Sequence, residues 1–471
     1  MRATFDVIII GAGSAGLAAL REVRKQTERF LIINDGPYGT TCARVGCMPS
    51  KLLIEAANAF HARHKLDAFG FRGADQLRPD LPAVLSRVRR LRDEFVAGTR
   101  RVTEELGERS LSGRARLLGP NRVEVNGQVL EARKIIIATG SRPILSDAWR
   151  ALGERVLSTD TFFDQIDLPR RMGVIGTGAL GIELAQALSR LGVEVHLFGR
   201  GELLAGLSDE RVSAVLRQQL DQELTLHTDA DAELSAAENG IAIVAGTTRI
   251  VVERVLAAVG RRPNLDDLGL ESLGVALDER GFPPFTPGST QVADLPLFLA
   301  GDANGHLPLL HEAADEGYIA GFNALAESPV CFERRTPLAI VFCDPGVATI
   351  GQRFDELDLE RAVIGEVSFE NQGRARAAQR NTGLLRLYAD RLTGRLLGAQ
   401  MCAPAAEHMA HLLALAIDRQ LSVQELLRMP FYHPVLEEGL RTALRHLAAQ
   451  LPQSGGPDLG QCNPYGIEAL D

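Results

Sequence analysis

Two glycine-rich turns, each set between a strand pattern and a helix pattern, constrain the fold of this chain more than any other feature. The first turn, GAGSAG at residues 11–16, follows an apolar strand pattern over residues 5–10 and precedes a helical pattern over residues 17–26. The second turn, GTGALG at residues 176–181, has the same setting, between a strand pattern over residues 171–175 and a helical pattern over residues 182–191. The glycines at the first, third and sixth positions are Gly11, Gly13 and Gly16 in the first turn and Gly176, Gly178 and Gly181 in the second.

The spacing of these glycines has a physical reason. The first two allow a tight turn and a close approach of the backbone to a pyrophosphate, and the third allows close packing of helix against strand. The positive end of the helix dipole then faces the phosphate charge. Two such units predict an α/β fold with two Rossmann-like nucleotide-binding domains and two bound dinucleotides.

The residues at the end of the second strand of each unit bear on which dinucleotide binds. A carboxylate at this position binds the ribose hydroxyls of NAD or FAD, and an arginine nearby suits the 2′-phosphate of NADP. The first unit has Asn34 followed by Asp35, and either side chain can hydrogen-bond a ribose. The second unit has Gly199 followed by Arg200, so the expected carboxylate is missing. The choice between NAD and NADP stays open, because a solvated surface position explains Arg200 equally well.

Two cysteines five positions apart, Cys42 and Cys47, lie in the segment TTCARVGCMPSK at residues 40–51. On a regular helix their Cα atoms would be roughly 8–9 Å apart, whereas a disulfide tolerates at most about 7 Å. A bridge between them therefore predicts an interrupted helix, and Gly46 is the residue most able to permit it. A strained and reducible bridge of this kind suits a redox catalyst.

Composition excludes several classes of protein. The net charge of −9 argues against nucleic acid as a main partner, and no apolar run is long enough to span a membrane. Six cysteines in 471 residues do not suggest a secreted disulfide framework. The chain starts almost at once with the strand pattern of residues 5–10, which leaves no room for a leader and predicts a cytoplasmic protein. No metal site is predicted.

Together these segments resemble the pyridine nucleotide-disulfide oxidoreductases, the FAD enzymes that include dihydrolipoamide dehydrogenase, glutathione reductase and mercuric reductase. The Pro-Ser-Lys at residues 49–51 is more similar to dihydrolipoamide dehydrogenase or mercuric reductase than to glutathione reductase. The resemblance runs from Phe5 to about Leu447. Further segments that carry it are ATGSRP (138–143), the Glu183 after the second turn, AVGRRPN (258–264), LAGDANG (299–305), FCDPGVATIG (342–351), GRARAAQRNTG (373–383) and YHPVLEE (432–438).

The resemblance implies an order of domains. An FAD-binding domain would take residues 1–145 and 266–330, with an NAD(P)-binding domain inserted at 146–265. An α+β dimerisation domain would take residues 335–450, followed by a tail rich in proline and glycine at 451–471. The tail holds a single cysteine, Cys462, which cannot form a second redox pair within one chain.

The resemblance also implies catalytic roles. Cys47 would be the thiol nearest the flavin, and Cys42 would exchange with the substrate. Lys51 would pair with Glu183 near the flavin ring and stabilise negative charge on it.

The pattern His-Pro-x-x-x-Glu matches His433 and Glu438, so that the imidazole, oriented by the carboxylate, would exchange protons with the thiols of the other subunit. This chain has Val435 where the family usually has Thr, and Gly346 where it mostly has Glu. The expected assembly is a two-fold homodimer.

Further contacts with the two cofactors follow from the same resemblance. Asp302 would bind the ribityl chain of FAD, and the turn from Ala138 to Gly140 would border the same cofactor. The remaining positions expected at FAD are Ala115, Thr139, Ser141 and Leu310, and those expected at NAD(P) are Glu183, Arg200 and Gly260.

The leading hypothesis for activity is oxidation of dihydrolipoamide by NAD⁺ through Cys42 and Cys47. The dithiol would belong to the lipoyl group of a 2-oxo acid dehydrogenase or a related complex. The first alternative reverses the electron flow, from NADPH to a small disulfide or a metal ion, as in glutathione or mercuric reductase. The second, a flavoprotein subunit without catalysis, is disfavoured by the intact set of Cys42, Cys47, Lys51 and His433.

Overall fold

The computed structural model describes residues 5–228, 230–452 and 459, and it has the mixed α/β architecture that the two glycine turns predict. Cys462 and most of the predicted tail lie outside these residues. In chain order the strands are β1 (Phe5–Ile10), β2 (Phe30–Asn34), β3 (Ser110–Ser112), β4 (Arg116–Gly119), β5 (Arg122–Val125), β6 (Gln128–Ile137), β7 (Ser141–Pro143), β8 (Val156–Leu157), β9 (Arg171–Ile175), β10 (Glu194–Phe198), β11 (Thr225–His227), β12 (Glu233–Ala237), β13 (Gly240–Ala245), β14 (Thr248–Val252), β15 (Arg254–Ala257), β16 (Arg261–Pro263), β17 (Leu297–Leu299), β18 (Leu338–Val341), β19 (Gly346–Gly351), β20 (Ala362–Ser368), β21 (Leu384–Asp390) and β22 (Leu396–Ala403).

The helices connect and cover these strands. They are α1 (Ser14–Val23), α2 (Thr41–Val45), α3 (Cys47–His61), α4 (Leu81–Glu104), α5 (Asp147–Arg150), α6 (Thr159–Phe162), α7 (Ala179–Arg190), α8 (Glu210–Leu220), α9 (Leu310–Leu325), α10 (Gly373–Ala377), α11 (Ala406–Asp418), α12 (Val423–Leu427) and α13 (Glu438–Ala448). Short 3₁₀ helices lie at Ala62–Phe69, Ala74–Gln76, Gly107–Arg109, Gly153–Arg155, Leu270–Leu273, Gly301–Asn304 and Phe354–Glu356. No helix among the described residues is both long enough and apolar enough to cross a membrane.

The first sheet has the strand order β3-β2-β1-β6-β5-β4, and β17 joins it by pairing with β6 in parallel. The last four residues of β1, Val7 to Ile10, are apolar and buried, because α1 and α9 pack on one face of the sheet and β4 and β5 pack on the other. β17 and α9 come from far along the chain, so the segment after residue 266 returns to the first sheet. Gly317 of α9 allows a close crossing with α1, where an added Cβ would overlap the carbonyl oxygen of Ala15.

The second sheet repeats the arrangement with the parallel order β11-β10-β9-β15-β8. Helix α7 and the apolar side of α8 cover one face, and the antiparallel sheet β12-β13-β14 covers the other. The side chain of Arg190, at the end of α7, is 2% exposed and makes two hydrogen bonds of 2.7 and 2.8 Å to Glu223. The same guanidinium binds Asp344 at 3.0 Å, so the buried Arg190 also joins this region to the loop between β18 and β19 of the third sheet.

The third sheet is antiparallel, in the order β18-β19-β22-β21-β20, with α11 and α13 packed on it. Its core includes Leu385, Met401, Met409 and Leu444, all at 0% exposure. Ser422 and Glu425 form a capping box at the start of α12, and the apolar stretch 409–417 lies within α11.

The structure corrects the predicted starts of two helices. The helices after the glycine turns were expected at residues 17–26 and 182–191, and they begin earlier, at Ser14 and Ala179. The reason is that the third glycine of each turn lies inside the first turn of its helix, where the missing side chain allows contact with the first glycine. The proposed domain boundaries remain a prediction.

Candidate active site

Backbone contacts close the first glycine turn. An added Cβ on Gly11, whose φ is +112°, would overlap the carbonyl oxygen of Ala138, and one on Gly16 would overlap that of Gly11. Gly13 differs, because a Cβ there would meet no atom within 4 Å. It precedes α1 without a side-chain hydrogen bond to the helix end. Open space before such a helix N-terminus fits a phosphate group.

A cavity of about 480 Å³ opens beside this turn, and its lining includes Asp35, Ala115 and Thr139. The hydroxyl of Thr139 is buried there and has no hydrogen-bond partner among the described residues. Since buried hydroxyl groups are nearly always paired, this one fits a ligand in the cavity. The residues present therefore fit the adenosine end of FAD.

Asn34 holds the glycine turn in place. Its side-chain oxygen accepts a hydrogen bond of 3.0 Å from the amide of Ala12, and its NH₂ donates at 3.0 Å to the carbonyl of Gly36. Asp35 is exposed at the cavity wall and keeps its carboxylate available. Of the two residues expected at the ribose, Asp35 is thus the better placed.

Asp302 lies in the 3₁₀ turn after β17. Its carboxylate accepts a hydrogen bond of 2.6 Å from the hydroxyl of Ser141, and this hydroxyl accepts one of 2.8 Å from Arg261. Gly140, the residue before Ser141, has a φ of +67°, and an added Cβ there would meet no atom within 4 Å. Leu310 starts α9 with its side chain 47% exposed.

A buried carboxylate, Glu316, supports this turn, and sequence reasoning missed it. One oxygen accepts hydrogen bonds of 2.7 Å from the amide of Gly301 and from the side chain of Asn304. Its other oxygen binds Arg334 at 3.2 Å. Burial raises the pKa of Glu316 against the effect of these partners. Because α9 also carries Glu312 and Asp315, its sequence does not single out Glu316.

The second glycine turn repeats the geometry of the first. Cβ atoms on Gly176 and Gly181 would overlap the carbonyl oxygens of Ala258 and Gly176, whereas Gly178 faces open space. A cavity of about 990 Å³ extends from this turn past Gly260 as far as Asp302. The hydroxyl of Thr159, in the cavity wall, is buried without a hydrogen-bond partner among the described residues. These residues fit a second dinucleotide.

Arg200 lines the same cavity with its side chain 84% exposed, and it forms an ion pair with Asp231. Asp231 follows β11 and also lines the cavity. The sequence pattern gave no reason to connect two residues that follow different strands.

The two cysteines lie on either side of a helix break, as their spacing predicts. Cys42 belongs to α2 and Cys47 begins α3, with Gly46 between them at φ −123° and ψ −117°. A Cβ on Gly46 would lie 3.1 Å from the carbonyl oxygen of Thr41 and 3.2 Å from the Cα atom of Cys42. Both cysteines are free thiols in this structure, with Cys47 exposed and Cys42 half-buried.

The thiols differ in acidity. A hydrogen bond from Cys42, supported by the positive charge of Lys51, lowers the pKa of Cys47 to about 6. The same hydrogen bond, together with burial, raises the pKa of Cys42. At neutral pH the reduced pair is therefore one thiolate, on Cys47, and one thiol, on Cys42.

Lys51 lies one turn beyond Cys47 on α3. Its ammonium donates a hydrogen bond of 2.7 Å to Glu183, whose side chain is 4% exposed, and lies 4.5 Å from the ring centre of Phe342. The other oxygen of Glu183 accepts one of 2.9 Å from the amide of Phe342. The predicted Lys–Glu pair is thus formed. Phe342, the residue after β18 of the third sheet, contacts both members of the pair.

His433 and Glu438 are also brought together. The Nδ1 atom of His433 lies 3.0 Å from one oxygen of Glu438 and 3.2 Å from the other, which also accepts a hydrogen bond from the amide of Val435. The hydrogen bond from His433 lowers the pKa of Glu438. The side chain of His433 is 80% exposed, so its Nε2 atom is free to face a second subunit.

Two family descriptions match the chain. Residues 5–317 match the description "Pyridine nucleotide-disulphide oxidoreductase", and residues 338–444 match the dimerisation domain of the same family. The chain belongs to this family of FAD-dependent disulfide oxidoreductases, and its cofactors are FAD and NAD(H).

Relatives and solved structures agree with this class. The chain is 32% identical to a dihydrolipoyl dehydrogenase of Thermus scotoductus over 95% of this chain and 98% of that one, and 28% identical to one of Bacillus subtilis over 93% and 97%. The crystal structure of LpdA from Mycobacterium tuberculosis has a TM-score of 0.82 at 25% identity and covers 94% of this chain and 99% of its own. The flavoprotein disulfide reductase RclA from Escherichia coli, solved as a Cu(II) complex, shares the fold with a TM-score of 0.82 at 21% identity, over 94% of this chain and 99% of that chain.

Proposed function

We propose that this enzyme oxidises a dihydrolipoyl dithiol with NAD⁺, using Cys42 and Cys47 as its redox pair. The observation that carries the proposal is the pair of free thiols on either side of the helix break, with Lys51 one turn beyond Cys47. The lipoyl substrate is supported by the name dihydrolipoyl dehydrogenase, which relatives carry over nearly the whole chain.

Two thiol–disulfide exchanges account for the first half of the reaction. A thiolate of the substrate attacks the sulfur of Cys42 in the oxidised pair, forms a mixed disulfide and displaces Cys47. The second sulfur of the substrate then attacks the first, closes the cyclic disulfide and releases Cys42. Two electrons pass from the substrate to the cysteines. The low pKa of Cys47 favours its departure as a thiolate.

Two protons leave the substrate in these exchanges: His433 of the partner subunit takes one from the attacking thiol, and the other ends on Cys42, which is released as a thiol while Cys47 stays a thiolate. Glu438 bonds the Nδ1 atom, which fixes the tautomer with the basic nitrogen at Nε2. Lys51, fixed by Glu183, holds positive charge beside the thiolate of Cys47. When bound, FAD supplies a two-electron acceptor between the cysteines and NAD⁺.

The expected partners are a second copy of the chain and the lipoyl group of a 2-oxo acid dehydrogenase or related complex. The match of residues 338–444 to the dimerisation domain supports the first. The cytoplasmic location expected from the sequence remains a prediction.

Steady-state rates with the purified holoenzyme test the substrate. Dihydrolipoamide with NAD⁺ is expected to give rapid turnover, and NADPH with glutathione disulfide is expected to give little. Negligible turnover of dihydrolipoamide with either NAD⁺ or NADP⁺ would reject the proposal, and rapid reduction of glutathione disulfide by NADPH would favour the reverse reaction.

Hybrid dimers test the contribution of His433 across the subunit boundary. Neither the Cys47→Ser homodimer nor the His433→Gln homodimer should turn over dithiol. Dissociated and reassembled together, they should regain about a quarter of wild-type activity, because half of the dimers then carry one complete site. If His433 served its own chain, no hybrid would hold a complete site and activity would stay absent.

A further inference from the structure

The end of β10 cannot carry the carboxylate that usually binds the adenosine ribose. The residue there is Gly199, and an added Cβ on it would overlap the side chain of Thr177 and lie 2.9 Å from its Cβ atom. Thr177 occupies the second position of the glycine turn. The methyl and hydroxyl groups of Thr177 therefore fill the space through which a side chain at position 199 would extend.

A different carboxylate faces the same part of the cavity. Among the described residues that line it, the carboxylates are Asp231 and Asp302. Asp302 is bonded to Ser141 at the end near the FAD turn. Asp231 lies at the opposite end, on the loop between β11 and β12, in an ion pair with Arg200, the residue after Gly199.

We propose that Asp231 replaces the missing carboxylate, binds the ribose hydroxyls of NAD(H) and, with Arg200 as its positioning residue, selects against NADP(H). The inference rests on the proposed function in one respect, which is that a nicotinamide dinucleotide binds in this cavity. Asp231 lies outside the position where the fingerprint places a ribose carboxylate.

The charges of the pair favour this assignment. A ribose diol can donate two hydrogen bonds to one carboxylate. The 2′-phosphate of NADP(H) would instead bring a further charge of nearly −2 towards Asp231, whose charge Arg200 only balances. Arg200 contacts Asp231 through its Nε atom, so a phosphate bound to the rest of the guanidinium would lie close to the Asp231 carboxylate.

Flavin reduction in the absence of dithiol isolates this step. Oxidised holoenzyme is mixed anaerobically with NADH or NADPH, and the dependence of the rate of flavin reduction on cofactor concentration gives the Kd of each. Since no dithiol is present, the result does not depend on the lipoyl substrate. The variants are Asp231→Asn and Arg200→Ala, with Asp221→Asn, an exposed aspartate after α8, as the matched control.

We expect the wild type to bind NADH at least tenfold more tightly than NADPH. Asp231→Asn should weaken NADH binding about tenfold, the size of one lost charge-assisted hydrogen bond, and strengthen NADPH binding because Arg200 is released. Arg200→Ala should weaken NADH binding less, and Asp221→Asn should change neither cofactor. FAD content reports that each variant is folded.

A rescue experiment adds a positive test. In the Asp231→Asn background, the double change Thr177→Gly and Gly199→Glu opens the space at the end of β10 and places a carboxylate there, so NADH binding should recover. The proposal is overturned if Asp231→Asn leaves NADH binding unchanged, or if the wild type prefers NADPH and loses that preference in Arg200→Ala.

Discussion

The two glycine turns of this protein have nearly the same geometry and different surroundings. Gly11 and Gly176 have φ values of +112° and +118°, and Gly13 and Gly178 both precede their helices in extended conformations with open space before them. After the second strand the two units diverge. The first continues into Asp35 and the cysteine segment, and the second into Gly199 and Arg200. The turn thus sets where a pyrophosphate binds, while the residues that follow determine the dinucleotide and the chemistry.

The largest effect is expected from a substitution that blocks one glycine turn and leaves the other unchanged. In Gly181→Ala the new methyl group would overlap the carbonyl oxygen of Gly176, so NADH-dependent flavin reduction should fall more than about a hundredfold while FAD stays bound. Gly16→Ala should prevent FAD binding. FAD absorbance per chain and the rate of flavin reduction measure the two effects.

Gly98→Ala is the control for this pair, because a Cβ at Gly98 on α4 meets no atom within 4 Å. It should leave both cofactor sites unchanged. Loss of FAD from Gly181→Ala would show that the two turns do not act as independent sites.

Glu316→Ala should weaken the first site alone. It leaves the amide of Gly301 and the side chain of Asn304 without their acceptor and Arg334 without one partner, which costs about 1–3 kcal/mol for each buried unpaired group. We expect release of FAD to accelerate tenfold or more, as measured by flavin fluorescence after dilution. Glu316→Gln keeps one acceptor oxygen, so its rate of FAD release should lie between those of the wild type and Glu316→Ala. If FAD release is unchanged in Glu316→Ala, then Glu316 does not support the turn that carries Asp302.

The cysteine segment distinguishes the first unit chemically. Cys42→Ala removes the hydrogen bond that contributes most to the low pKa of Cys47, so this pKa should rise by about one unit or more. Cys47 is a thiolate at pH values above its pKa, and the thiolate is the form that is alkylated. In the reduced wild type the rate of alkylation of Cys47 should therefore stay high until the pH falls through about 6. In Cys42→Ala the rate should fall at a higher pH, and an unshifted profile would contradict the role of this hydrogen bond.

The smallest effect is expected from Asn34→Ala. It removes the hydrogen bond to the amide of Ala12, worth about 1 kcal/mol, so FAD binding should weaken severalfold while the Kd for NADH stays the same. Titration of apoprotein with FAD measures the change. An effect as large as that of Glu316→Ala would mean that Asn34 binds the cofactor directly.

Local sequence patterns predicted the parts of the site that depend on short-range spacing. The glycine turns and the helix break at Gly46 follow from residues close together in the chain, whereas the contact between His433 and Glu438 was expected from family resemblance. Lys51 and Glu183 are distant in the chain, and their pairing came from family resemblance.

Contacts between distant segments could not be predicted in this way. Glu316 reaches Gly301 only because α9 and β17 both return to the first sheet. Asp231 meets Arg200 only because β11 pairs with β10. The two helix starts were predicted too late because the third glycine of each turn was taken to precede the helix, whereas it packs inside it.

The most direct test of the redox assignment is the turnover of dihydrolipoamide with NAD⁺ by Cys47→Ser. NADH-dependent reduction of ferricyanide, which needs both cofactors and not the cysteines, serves as the control in the same preparation. We expect Cys47→Ser to retain FAD and ferricyanide reduction and to lose dithiol turnover. Dithiol turnover at the wild-type rate in that variant would contradict the assignment of Cys42 and Cys47 as the redox pair.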